Sequence, residues 1–165
     1  MREIKVKQLN CKDFDKYGTF ALMPCESVPH IKVRDRAQFY RDLYHIKLGD
    51  EKNMSYSICK IGMRNMVVDT MEYHDRTEEG IVPLDDDIVI FCAPANNGEP
   101  EPDKIEAFFV PKHTCIVLKA GVWHFSPYVC NVETGHILIQ LPERTYMNDC
   151  IVKKLPESDH ISIKL

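Results

Sequence analysis

The run Met71-Glu72-Tyr73-His74 places a carboxylate and an imidazole two residues apart. In an extended strand alternate side chains share a face, so Glu72 and His74 converge while Tyr73 faces away. Such a pair meets at a single point, which can be a metal ion or a substrate proton. The next residues, Asp75-Arg76-Thr77-Glu78-Glu79-Gly80, read as a turn that returns Glu78 or Glu79 to the side of the strand. Further along, Lys119-Ala120-Gly121-Val122-Trp123-His124 adds a second imidazole after a glycine turn. Burying two carboxylates and two imidazoles together is costly unless they are paired or bound to a cation. Zinc, manganese, iron and nickel all accept this mixture of ligands. With four protein ligands an octahedral ion keeps open positions for substrate, whereas tetrahedral zinc is closed unless one carboxylate withdraws.

These residues need a frame of strands to bring them together, and the chain supplies one. Met54 to Ile61, Arg64 to His74, Ile88 to Ala93, Ile105 to Val110, Thr114 to Leu118, Tyr128 to Val132 and His136 to Gln140 all read as extended. Gly62, Gly80, Asn97-Gly98, Pro111, Gly121 and Gly135 separate them as turn signals. Asp149 to Lys153 and Ile161 to Lys164 add strands at the tail, and Glu3 to Val6 reads as an edge strand. Phe20 to Met23 is extended, and Asp13 to Tyr17 is a helical turn ending at Gly18. The spacing of Ala37, Phe39, Tyr40, Leu43 and Tyr44 predicts a helix over 35–46, decorated by Arg34, Asp35, Arg36, Arg41 and Asp42. Many short strands with regular turns make the chain mainly β, in a closed or double-sheet architecture.

The same residues carry a family resemblance. Glu72-Tyr73-His74 followed by Glu78 or Glu79 resembles the first motif of the cupins, with glutamate in place of its first histidine. Lys119 to His124 is similar to their second, with Ala120 where proline is usual. The resemblance implies a cupin-type double-stranded β-barrel (jelly roll) with one or two short N-terminal helices, as a single domain over 1–165. It also implies a divalent metal held by Glu72, His74, either Glu78 or Glu79, and His124.

The chain more closely resembles the ureidoglycolate lyase family, itself cupin-like. Phe14-Asp15-Lys16-Tyr17-Gly18 is similar to that family's Phe-x-x-Tyr-Gly opening. Glu72-Tyr73-His74, then Glu79-Gly80-Ile81-Val82-Pro83-Leu84, resembles its Glu-x-His element and the hydrophobic-Pro run after it, which selects Glu79 over Glu78. Ala107-Phe108 and Val122-Trp123-His124-Phe125 match its Ala-Phe strand and Val-Trp-His turn. What this implies is a carbon–nitrogen lyase cleaving ureidoglycolate to glyoxylate and urea, in allantoin degradation and purine-nitrogen salvage. Glu72 or Glu79 would act as base, Lys119 would either be an exposed stem at its turn or bind the carboxylate of a small anionic substrate, and the protein would form a homodimer. A family member has glutamine at the place of Glu79 and histidine at that of Lys119. Glutamate brings charge and is the better cation ligand, so this chain favours metal while the exact substrate stays open. Two alternatives remain: a metal-dependent isomerase-like cupin on another small hydroxy- or keto-acid or sugar derivative, and a non-catalytic small-molecule-binding cupin.

Composition narrows the field. The chain has 165 residues, 28% of them charged, with a net charge of -4 and no dense basic run, which argues against nucleic acid. No apolar stretch approaches the ~20 residues of a membrane span, and the charged N-terminus lacks a signal-peptide core, so a cytoplasmic location is expected. The seven cysteines are scattered, odd in number and without Cys-x-x-Cys spacing, so they read as buried, reduced thiols. Asp85-Asp86-Asp87 reads as a solvated hairpin turn, because it lacks the glycine and distal glutamate of a calcium loop. Trp123 reads as core packing, His45 as a helix-end surface residue, and His30, His113, His136 and His160 as surface residues.

Overall fold

The computed structural model describes residues 1–22, 31–33, 36–96 and 98–165. Met23, Cys25, His30, Arg34, Asp35 and Asn97, all used in the sequence reading, lie outside the described residues.

The first strands are β1 (Arg2–Gln8), β2 (Gly18–Ala21), β3 (Ile31–Val33), β4 (Ala37–Phe39) and β5 (Met54–Gly62). Next come β6 (Val67–Val68), β7 (Thr70–Tyr73), β8 (Glu79–Pro83), β9 (Ile88–Cys92) and β10 (Glu106–Val110). The last are β11 (Cys115–Leu118), β12 (Tyr128–Val129), β13 (Thr134–Pro142), β14 (Ile151–Lys154) and β15 (Ile161–Lys164). Two single-turn helices, α1 (Cys11–Phe14) and α2 (Thr145–Asn148), complete the regular structure with two short 3-10 turns. The fold is mostly β, with curled sheets. A six-stranded sheet runs β12-β9-β10-β1-β15-β6, and a five-stranded sheet runs β2-β11-β8-β13-β5. β14 and β7 form a separate ribbon, as do β3 and β4. Among the described residues no helix is long and apolar enough to cross a membrane.

β9 explains how the layers hold together. All five of its residues are buried, which an apolar strand achieves only with cover on both faces. Ile88, Ile90 and Cys92 enter one core with Phe14, Tyr17, Phe108, Ile116 and Ile137. Val89 and Phe91 enter a second core with Met71, Trp123, Leu155 and Ile161. The period of two thus splits one strand between two cores.

Three expectations need correction. The helix expected over 35–46 is absent from the described residues 36–46: Ala37–Phe39 is a strand paired with β3, and Asp42 has a φ of 54°. A helix this short depends on burying one face, yet Phe39 and Leu43 are both exposed. Tyr44 instead donates to the Gln140 side chain at 3.0 Å. Glu3 to Val6 is no edge, because β1 lies between β10 and β15 and is parallel to both. Its alternation fixed which face is wet, not which strands flank it. Residues 79–83, read only as the far side of a turn, form β8 at the centre of the five-stranded sheet. Pro83 at its end weakened the strand signal.

Candidate metal centre

One strand delivers the first carboxylate and imidazole. β7 carries Glu72, and His74 follows directly, so both look into one pocket while Tyr73 stacks edge-on against Trp123 in the second core. The second imidazole arrives on residues 122–124. Trp123 exchanges two backbone hydrogen bonds with Ala93, and His124 exchanges two with Glu72. This segment therefore stitches β9 to the β7 ribbon and sets His124 beside Glu72. The preceding turn needs Gly121, which has a φ of 79° and donates its N–H to the His74 carbonyl at 2.7 Å. Trp123 is fully buried, as expected of a core residue, and its indole N–H donates to Asn96.

The turn after His74 returns the chain as β8, whose first residue is Glu79. Glu79 Oε2 lies 2.6 Å from His124 Nε2 and 3.4 Å from His74 Nε2. All three residues are at least nine-tenths buried, at 7%, 5% and 6% exposure for Glu79, His124 and His74. One ligand atom from each lies within 4.8 Å of the others. Glu78 points elsewhere, accepting from the Lys47 backbone N–H. The geometry thus brings Glu79, not Glu78, to the histidines.

Both rings are held from behind. His74 Nδ1 lies 2.6 Å from the Asp149 carbonyl and His124 Nδ1 lies 2.9 Å from the Val122 carbonyl. A carbonyl can only accept, so each Nδ1 carries its hydrogen and each ring turns its Nε2 toward Glu79. His124 Nε2 and Glu79 Oε2 lie 2.6 Å apart, yet both are buried without a hydrogen-bond partner. Buried polar atoms left close together and unpartnered point to a common centre. Without a cation the cluster charges itself. Burial works against ionisation of Glu79, and the adjacent imidazoles outweigh it and lower its pKa. Burial likewise opposes a proton on His124, and the Glu79 carboxylate outweighs it and raises that pKa. The donor set of two imidazoles and one carboxylate, with an orphaned oxygen and an orphaned nitrogen, fits a metal ion.

Glu72 shares the pocket wall but lies outside the group of three whose ligand atoms converge. Its Oε2 accepts from the Cys150 thiol at 3.3 Å. Lys119 is not brought to the pocket. Its exposed ammonium donates to the Asp15 carbonyl, because the turn that aims His124 inward leaves Lys119 outside. The cavity measures about 190 Å³, and its other walls include Cys59, Ile81, Phe125, Ile139, Leu141 and Tyr146. Sequence reasoning missed Cys150, which carried no signal among scattered cysteines. It also missed the Asp149 carbonyl, since a backbone acceptor has no residue signature. The six described cysteines are unpaired, as expected, but of the buried thiols expected only Cys92 is fully buried; Cys59, Cys115, Cys130 and Cys150 are half-buried and Cys11 is exposed.

A family model described as ureidoglycolate lyase matches residues 1–162, and the chain belongs to that family. No curated protein sequence matches it. Among solved structures it is similar to a dTDP-4-dehydrorhamnose 3,5-epimerase from Elizabethkingia anophelis, at 12% identity and a TM-score of 0.47 over 90% of this chain and 92% of that one. It is also similar to NovW, a 4-keto-6-deoxy sugar epimerase from Streptomyces spheroides, at 13% identity and a TM-score of 0.44 over 88% and 74% of the two chains. Likenesses this distant carry no function across.

Proposed function

We propose that this chain is a metal-assisted lyase that cleaves ureidoglycolate to glyoxylate and urea, with His74, Glu79 and His124 as metal ligands and Glu72 as base. Family membership supports the reaction class. The observation that carries the site is the pair of buried, unpartnered atoms, Glu79 Oε2 and His124 Nε2, facing each other beside His74. A divalent cation bound there would supply positive charge for the substrate's carboxylate and make its hydroxyl more acidic. No lysine or arginine among the described residues lines this pocket, so that charge would come from the cation.

The chain's residues then do the proton work. Glu72 takes the hydroxyl proton, the O–H electron pair becomes the carbonyl bond of glyoxylate, and the C–N bond breaks toward nitrogen. The departing nitrogen needs one proton, and Glu72 now carries one to return, so the balance closes on a single carboxyl group. Ile81, Ile139, Leu141 and Phe125 limit water around the reacting atoms.

The test is turnover. Purified protein, supplied with each of zinc, manganese, iron and nickel, is given ureidoglycolate, and glyoxylate and urea are measured separately. Equal release of both, lost in Glu72→Gln, is expected. No release with any of the metals, or undiminished release by Glu72→Gln, would overturn the reading.

A further inference from the structure

Glu72 poses a question that the three converging residues do not answer. It sits in the same pocket and its backbone is locked to His124, yet its carboxylate is turned to Cys150. A flexible carboxylate beside a cation would ordinarily join it. Something must hold Glu72 back if it is to work on the substrate.

The segment that follows α2 is built to do this. Asp149 and Cys150 are adjacent and each grips one site residue: the Asp149 carbonyl holds His74 Nδ1, and the Cys150 thiol donates to Glu72. The segment is itself pinned. The two carboxylate oxygens of buried Asp149 accept the backbone N–H groups of Asp75 and Arg76 at 2.9 and 3.0 Å. The thiol is therefore set by the same clamp that orients a metal-binding histidine. A thiol is a weak donor. It restrains one carboxylate oxygen without neutralising the group and leaves the other oxygen free.

Building on the metal-assisted reading above, we infer that Cys150 is a positioning residue that keeps Glu72 out of the metal's coordination shell and available as base. Three protein ligands then leave the centre open, as catalytic sites require, where a fourth would tend to close it.

Cobalt substitution reads this directly, apart from activity. Wild-type protein, Cys150→Ala, Cys150→Ser and the double variant Cys150→Ala/Glu72→Gln are loaded with Co(II). The visible spectrum, its near-ultraviolet region and the cobalt affinity are then recorded. In Cys150→Ala, Glu72 joins the ion: the visible absorption weakens as the coordination number rises, and cobalt binds about tenfold tighter. The double variant reverses both changes. Cys150→Ser restores the wild-type spectrum, because the hydroxyl is also a donor. With zinc, Cys150→Ala loses about ten- to a hundredfold in kcat with little change in KM. Identical cobalt spectra and affinities in wild type and Cys150→Ala would overturn the inference while leaving the metal reading intact. A thiolate-to-cobalt band in the wild type would also overturn it, by making Cys150 a ligand. A wild type that takes up no cobalt would bring down the metal reading and this inference together.

Discussion

Glu79 and Asp86 are both buried carboxylates at a strand end or turn, close together in the chain, and they are treated oppositely. Asp86 is fully occupied: it accepts from the backbone N–H groups of Cys130 and Asn131 and from the Asn131 amide, each at 2.8 Å. Burial opposes its ionisation, and those donors outweigh it and lower its pKa. Glu79 meets two imidazoles, and its Oε2 still has no hydrogen-bond partner. A satisfied buried carboxylate is a structural tie. An unsatisfied one, in a fold that satisfies its neighbour completely, marks a place for something else. The turn carrying Asp85, Asp86 and Asp87 was expected to be merely solvated. It is instead an organising knot, in which Asp85 also pairs with His136 at 2.6 Å and Asp87 accepts from the Lys112 backbone N–H.

The contrast breaks most sharply under amide substitution. Glu79→Gln should fold normally and lose metal affinity by more than the ten- to hundredfold typical of an outer-shell change, as read by isothermal titration. Asp86→Asn should bind metal as the wild type does. A Glu79→Gln protein with near wild-type affinity would place the centre elsewhere.

The next effect is on stability. A ligand that binds only the folded state at a hundred times its Kd adds about 2.7 kcal/mol. Thermal melts should therefore shift upward by roughly 5–10 °C on metal addition for wild type and Asp86→Ala, and not for Glu79→Gln. An equal shift in all three would mean that the metal binds outside the cluster.

The converse loss is slightly smaller. Asp86→Ala strands three donors and should cost about 1–3 kcal/mol in a urea melt, with metal stoichiometry unchanged. If Asp86→Ala is as stable as the wild type, the knot at residues 85–87 does not tie the strands together.

How much of this was legible follows from what kind of feature each part is. Glu72, His74 and His124 were readable because strand alternation and a glycine turn are local, and the pocket receives all three. β9 was readable as an uninterrupted apolar run, although its division between two cores was not. The helix expected over 35–46 failed because its spacing counted apolar residues without asking what would cover them; Phe39 and Leu43 stay exposed. Glu79 over Glu78 came from the resemblance, and β8 then supplied the physical reason by placing the first residue of a central strand inside. Cys150 was illegible because its meaning lies in a contact across 78 positions of sequence. Lys119 failed for the opposite cause: its charge suggested a substrate partner, while the nearest acceptor was a backbone carbonyl.

The smallest effect concerns a third carboxylate, Glu106, which belongs with Asp86 rather than Glu79. Its partners are Lys7, Lys16 and the Tyr17 hydroxyl, the last at 2.6 Å. Burial opposes its ionisation, and these partners outweigh it and hold its pKa down to about 2 against an ordinary 4.5. A depressed folded-state pKa gives stability that is fully present above the unfolded value and lost as pH falls from about 4.5 toward about 2. Urea melts between those limits should show a shallower acid loss for Glu106→Gln than for wild type. Parallel acid profiles would remove Glu106 from the set of satisfied ties.

The central claim is that His74, Glu79 and His124 form a metal centre, and elemental analysis after equilibrium dialysis tests it most directly. Wild-type protein should retain about one divalent ion per chain, Asp86→Asn should retain the same, and Glu79→Gln and His124→Ala should retain none. A wild type that emerges metal-free from saturating zinc, manganese, iron and nickel, or a Glu79→Gln protein that still holds its ion, would contradict it.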